Sequence, residues 1–121
     1  MLSNVAVIGT GYVGLTTGAC LAHLGHNVVC ADIDSAKVES LRLGRIPIVE
    51  LGLEDLVREG LASGRLSFVV GGGTAVKNCD VAFLCVPTPQ GDDGAADLSY
   101  VQEAAGQIAA HLPHEIGRAH V

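Results

Sequence analysis

Asn4–Asp34 reads "NVAVIGTGYVGLTTGACLAHLGHNVVCADID". Val5–Ile8 is a short run rich in β-branched residues that stops at a glycine, as a buried parallel strand does. Three glycines follow at Gly9, Gly11 and Gly14. From Tyr12 to Leu24, Val13, Ala19, Cys20 and Leu24, with Leu15 and Leu21 beside them, fit one broad helical face, and Gly25 ends the helix. Asn27–Ala31 is a second strand, closed by Asp32. The pattern G-x-G-x-x-G on its own is weak, because its intervening positions accept anything. Its setting makes it specific: it leaves a strand, opens a helix, lies within a βαβ unit and precedes an acid at the end of the next strand.

Each of these residues has a physical task. Gly9 permits a tight turn out of the strand, Gly11 lets backbone approach a pyrophosphate, and Gly14 lets the helix pack closely on the sheet. The unpaired amides of the first helical turn carry roughly +0.5 charge, so they hold a diphosphate without Lys or Arg. Asp32 accepts hydrogen bonds from a ribose 2′-hydroxyl and repels a 2′-phosphate, which favours NAD over NADP. FAD suits the same geometry. The plain alternative is a strand-to-helix turn with Asp32 capping a loop.

The remaining segments continue the alternation. Asp34 or Ser35 caps a second helix with Val38, Leu41 and Leu43 inward, and "RIPIVELG" is a loop because Pro47 disfavours helix before it. Leu53–Leu61 is amphipathic helix, Leu66–Val70 a strand, and Thr74–Asn78 at most a short helix. Val81–Val86 is the most apolar run and is expected at the centre of the sheet. "PTPQGDDGAAD" is a turn-rich loop, and Ser99 with Gln102 forms a capping box that opens a helix to about His111. The expected fold class is α/β: a Rossmann-type, doubly wound, mainly parallel sheet, truncated.

The chain has 121 residues and a formal charge of −6. That size holds one core, and scattered Lys and Arg exclude the clustered basic face of a duplex nucleic-acid binder. No apolar run approaches the ~20 residues of a membrane span, and no basic n-region with an apolar h-region opens the chain. A cytoplasmic location is expected. Cys20, Cys30, Cys79 and Cys85 lie in or beside apolar segments without metal-ligand spacing, and are expected as buried, reduced thiols. His23 and His26 flank the end of the first helix, where a cation is favourable. Asp92, Asp93 and Asp97 lack the ligand alternation and distal Glu of a calcium loop and read as solvated turn residues, so no metal is expected.

With these segments placed, "VAVIGTGYVGLTTGACLAHLGHNV", "DIDSAKVESLRLGRIPIVELGLEDLV", "GRLSF" and "CDVAFLCVPTPQGDDGAADLSYV" resemble the NAD-binding domain of the UDP-glucose/GDP-mannose dehydrogenase family. Tyr12-Val13-Gly14 and Pro87-Thr88-Pro89 are far more specific than the glycines. The resemblance covers the chain to about Pro113 and implies contacts at matching positions. Gly9, Thr10, Gly11, Tyr12, Val13 and Gly14 would wrap the pyrophosphate, Asp32 would bind the adenosine ribose, and Lys37 would lie near it. Val86, Pro87 and Thr88 would border the ribose and diphosphate. Lys37 also has a simpler reading as a solvated helix lysine.

Two departures stand out. Glu50-Leu51-Gly52-Leu53 replaces the family's Glu-Pro-Gly-Leu, and after Pro113 "HEIGRAHV" replaces an apolar strand and a Ser/Thr-rich catalytic loop. The expectation is an NAD-binding Rossmann domain over 1–113 and a tail at 114–121 foreign to the family. Family members oxidise the C6 hydroxymethyl of a nucleotide sugar to a carboxylate with two NAD, through a cysteine in a second domain. Neither Cys79 nor Cys85 has that cysteine's glycine-flanked setting, so no catalytic residue is expected here. The resemblance points to UDP-glucose as substrate of the parent enzyme. GDP-mannose, a UDP-N-acetyl sugar, or a stand-alone NAD-responsive module stay open. A truncated sheet with an uncovered edge would also favour self-association into a homo-oligomer.

Overall fold

The computed structural model describes residues 3–47, 50–86, 91, 94, 98–111 and 118–120. Strand β1 (Asn4–Ile8) leads into helix α1 (Tyr12–His23) and strand β2 (Asn27–Asp32). Helices α2 (Ser35–Arg42) and α3 (Leu53–Ser63) precede β3 (Leu66–Val70). The short α4 (Gly72–Ala75), β4 (Val81–Leu84), α5 (Ser99–His111) and β5 (Arg118–His120) complete the chain. The sheet runs β3-β2-β1-β4-β5 with every pair parallel. Strand order reverses between β1 and β4, and in an open α/β sheet the crevice at the carboxyl ends of such strands is where ligands lie.

Both faces of the sheet are covered, which is why β1 shows no polar alternation. Val5 and Val7 face one core with Leu15 and Ala19 of α1, Leu41 of α2 and Val57 of α3. Ala6 and Ile8 face the other, with Ala75 of α4 and Ala104 and Ile108 of α5. Asp34 caps α2, its carboxylate accepting from the amides of Ala36 and Lys37 at 3.0 and 3.2 Å, and Gly64, with φ +77°, ends α3.

Several sequence expectations are corrected. The buried side of α1 is Gly14, Leu15, Gly18, Ala19 and Ala22, whereas Val13 and Leu24 are 63% and 69% exposed and Cys20 is exposed. The packing role read for Gly14 holds, but hydrophobicity passed over Gly18, where only a residue this small allows the helix to approach the strands: a Cβ on Gly18 would stand 2.6 Å from the Cys30 sulfur. Leu43 is also exposed, because it lies at the C-cap of α2 after the last inward turn. The centre of the sheet is β1, not the more apolar β4, which ends at Leu84 rather than Val86. In α5, which starts at Ser99, the carbonyl of Leu98 accepts from the amide of Gln102 at 2.9 Å, so the N-cap is Leu98, one residue before the expected Ser99. Arg118–His120 pairs with Val81–Phe83 on the outer side of β4.

Candidate functional site

The loop from β1 to α1 is held from both sides. Gly9, with φ +106°, donates its amide to the carbonyl of Ala31 at 2.7 Å, and a Cβ there would collide with the Cys85 carbonyl beyond β4. This is the left-handed region, where a side chain is strained whatever the space around it. Gly14 lies behind the turn, and a Cβ on it would overlap the Gly9 carbonyl. Gly11 differs from both. Its φ of −73° suits any residue, and a Cβ would meet nothing within 4 Å, so its smallness leaves space free rather than relieving a clash.

Gly11 is also the N-cap of α1. No side chain caps this end, and no acid lies in the first turn. The open amides and the helix dipole therefore favour an anion at that point. Beyond the carboxyl ends of β1, β2 and β4 lies a cavity of about 670 Å³, within the ~300–1,000 Å³ range of small-molecule clefts.

Asp32 closes one side of this cavity. Its Oδ2 accepts from the Thr10 amide at 3.1 Å and from the Thr10 hydroxyl at 2.5 Å. Its Oδ1 accepts from the Asp34 amide at 3.1 Å, and Lys37 Nζ stands 3.6 Å from Oδ2. Burial works to raise the Asp32 pKa. The Thr10 hydroxyl, the Asp34 and Thr10 amides and the Lys37 charge together outweigh it, and the net shift is downward. The carboxylate stays ionised, and a carboxylate has about four lone-pair sites, so it can still accept from a hydroxyl in the cavity.

Of the residues picked from the sequence, Gly9, Thr10, Gly11, Tyr12, Val13, Asp32, Lys37 and Val86 all line this cavity. Gly14 supports it from behind. Pro87 and Thr88 lie outside the described residues, as do Asp92, Asp93 and Asp97. The sequence did not mark Ile33, Gly72, Glu103 and Ala104, which also line the cavity. Ile33 was the most accessible of these, as an apolar residue directly after the acid. The others are brought in by packing between segments far apart in the chain. Nor did any local signal announce that Thr10 binds Asp32.

Cys30, Cys79 and Cys85 are not activated thiols. Burial, with a contribution from Cys85, pushes the Cys30 thiol up to about 12, and burial also raises Cys79 and Cys85. A nucleophilic thiol needs the opposite shift. Two cysteines depart from the expected burial, Cys20 being exposed and Cys85 half-buried. His23 contacts Glu59 of α3 at 3.1 Å on the surface, and His26 Nδ1 accepts from the Ser3 amide at 3.1 Å, just before β1. Among the described residues no helix is long and apolar enough to cross a membrane.

Comparison with known proteins gives the same geometry a lineage. Residues 3–116 match the sequence profile of the UDP-glucose/GDP-mannose dehydrogenase family, NAD binding domain. The UDP-glucose 6-dehydrogenase of Rhizobium meliloti is 52% identical over 110 residues, covering 90% of this chain and 25% of that protein. Among solved structures, a UDP-glucose dehydrogenase from the archaeon Pyrobaculum islandicum superposes with a TM-score of 0.86 at 44% identity, covering 89% of this chain and 25% of that one. A GDP-mannose dehydrogenase from Pseudomonas aeruginosa, solved as a ternary complex, gives 0.83 at 39% identity, covering 87% of this chain and 24% of that one. The chain thus spans about a quarter of the length of the curated relatives it matches. A family match over nearly the whole chain, together with the parallel sheet these structures share, shows that the chain belongs to the UDP-glucose/GDP-mannose dehydrogenase family, as its NAD-binding domain.

Proposed function

We propose that this chain is the cofactor half of an enzyme that oxidises UDP-glucose to UDP-glucuronate with two NAD. The observation that carries the cofactor assignment is the Asp32 carboxylate, ionised and fixed by Thr10 at the edge of the cavity into which α1 points its uncapped end. In this reading the backbone of Gly9, Thr10, Gly11, Tyr12, Val13 and Gly14 holds the diphosphate, and Asp32 accepts from the adenosine ribose. Lys37 keeps that carboxylate charged and lies beside the ribose. Val86 and the following Pro87 and Thr88 border the ribose and diphosphate from the far side of the crevice. NAD, when bound, supplies the hydride acceptor; two transfers take an alcohol to a carboxylate.

This chain's own residues bind and orient, and leave the bond-making to the rest of the parent enzyme. The raised thiol pKa values support that division. UDP-glucose is favoured by relatives such as the Rhizobium enzyme; the likeness to a GDP-mannose dehydrogenase keeps that sugar nucleotide as the second reading. A cytoplasmic location fits four cysteines without a disulfide. Association of copies belongs to the same proposal, supported by the outer side of β3, which pairs with no strand among the described residues.

Calorimetric titration with NAD and NADP tests the cofactor reading. Saturable NAD binding, weaker NADP binding and a loss on the order of 1–3 kcal/mol in Asp32→Ala are expected, since a charged hydrogen bond to ribose disappears. Equal affinity for both nucleotides, or an Asp32→Ala variant that binds NAD normally, would overturn it.

A further inference from the structure

The cavity contains one feature that a diphosphate site does not call for. Glu103, on α5, lines it, and a second carboxylate repels an anionic cofactor unless some part of that cofactor can use it. Glu103 is exposed, and among the described residues no hydrogen bond or ion pair engages it.

Its place follows from the fold. The Gly71 amide donates to the Asp32 carbonyl at 3.0 Å, so α4 begins beside the ribose-binding acid. Ala75 of α4 and Ala104 and Ile108 of α5 share one core, which sets α5 on the same side of the sheet. A base joined to a ribose at Asp32 lies one glycosidic bond further into the cavity. There it would find the side chain of Ile33, 75% exposed, and the α4–α5 wall, where Gly72 and Ala104 are small enough to leave room for a flat ring. Apolar contact holds a purine without distinguishing one from another. Glu103 is the side chain on that wall able to tell them apart.

Resting on the NAD reading of this site, we propose that Glu103 is a specificity residue that reads the adenine base, its carboxylate accepting a hydrogen bond from the exocyclic 6-amino group. An ionised carboxylate only accepts, and carboxylates pair with exocyclic base amines in nucleic-acid recognition for the same reason. Adenine presents a donor at position 6, whereas hypoxanthine presents a carbonyl oxygen, which would set acceptor against acceptor. The site therefore takes adenine dinucleotides and disfavours 6-oxopurine ones.

The test is calorimetric titration of the chain, Glu103→Gln and Glu103→Ala with NAD and with nicotinamide hypoxanthine dinucleotide, alongside Asp32→Ala. A charge-assisted hydrogen bond corresponds to about a tenfold preference for NAD over the hypoxanthine analogue in the unaltered chain. Glu103→Ala should bring that ratio close to one. Glu103→Gln should do much the same, because its amide can turn to accept from the amine or donate to the carbonyl. A preference that persists in both variants, with NAD binding still dependent on Asp32, would overturn the role of Glu103 and leave the NAD reading intact. Absence of NAD binding to the unaltered chain would overturn both.

Discussion

Gly11 and Gly14 are three residues apart in one loop and are small for opposite reasons. A methyl group on Gly14 would overlap the Gly9 carbonyl, and backbone cannot yield as a flexible side chain can. Gly14→Ala should therefore lose about 3 kcal/mol or fail to fold, as read by urea denaturation. Gly11→Ala places its methyl in open space at an ordinary φ, so its stability should stay within about 1 kcal/mol of the parent. NAD affinity should nevertheless fall, because the methyl occupies the approach to the α1 amides. Equal destabilisation of both variants would contradict these separate roles.

Asp32 makes the stability of the fold depend on pH. Its folded pKa lies below the ordinary 3.8, so it contributes stability that is fully present above that value and is lost as pH falls through the lower folded one. Thr10→Val removes the hydroxyl donor but keeps the amide. The Asp32 pKa should rise, the acid limb of stability should move to higher pH, and the neutral-pH loss should be on the order of 1 kcal/mol, being partly screened by solvent. Carboxylate chemical shifts followed through an acid titration would show it.

At the scale of elements, the contact between α1 and β2 sets how closely helix and sheet approach. Gly18 packs on Cys30, whose sulfur would stand 2.6 Å from an added Cβ. Gly18→Ala should destabilise by about 1–3 kcal/mol through overpacking. Removing the sulfur with Cys30→Ala should recover a good part of this, so the double variant should be more stable than the sum of the single losses predicts. Additive losses in chemical denaturation would show that the two residues do not compete for the same space. The same contact explains what was illegible in the sequence of α1. Apolar periodicity pointed to Val13, Cys20 and Leu24, but the inward side is occupied partly by glycine, whose burial follows from closeness of packing rather than from hydrophobicity.

Over the whole molecule, the sheet's edges matter most. Arg118–His120 continues the parallel order beside β4, satisfying backbone groups that would otherwise face outward as a template for another chain. Deleting residues 118–121 should therefore raise self-association, measured as a concentration-dependent mass by light scattering. An unchanged mass at high concentration would mean that this edge has no such tendency.

The alternation of strands and helices, the turn at Gly9 and the position of Asp32 were legible in the amino-acid sequence alone, because each depends on residues near one another in the chain. Glycine backbone freedom, side-chain capping and hydrophobic period are local physics. Tertiary structure alone decided that β1 rather than β4 is central, that Thr10 fixes Asp32, and that Gly72, Glu103 and Ala104 share a cavity with the glycine loop. These depend on which strands pair and how closely helices approach them, so they are set by packing among segments far apart in the chain.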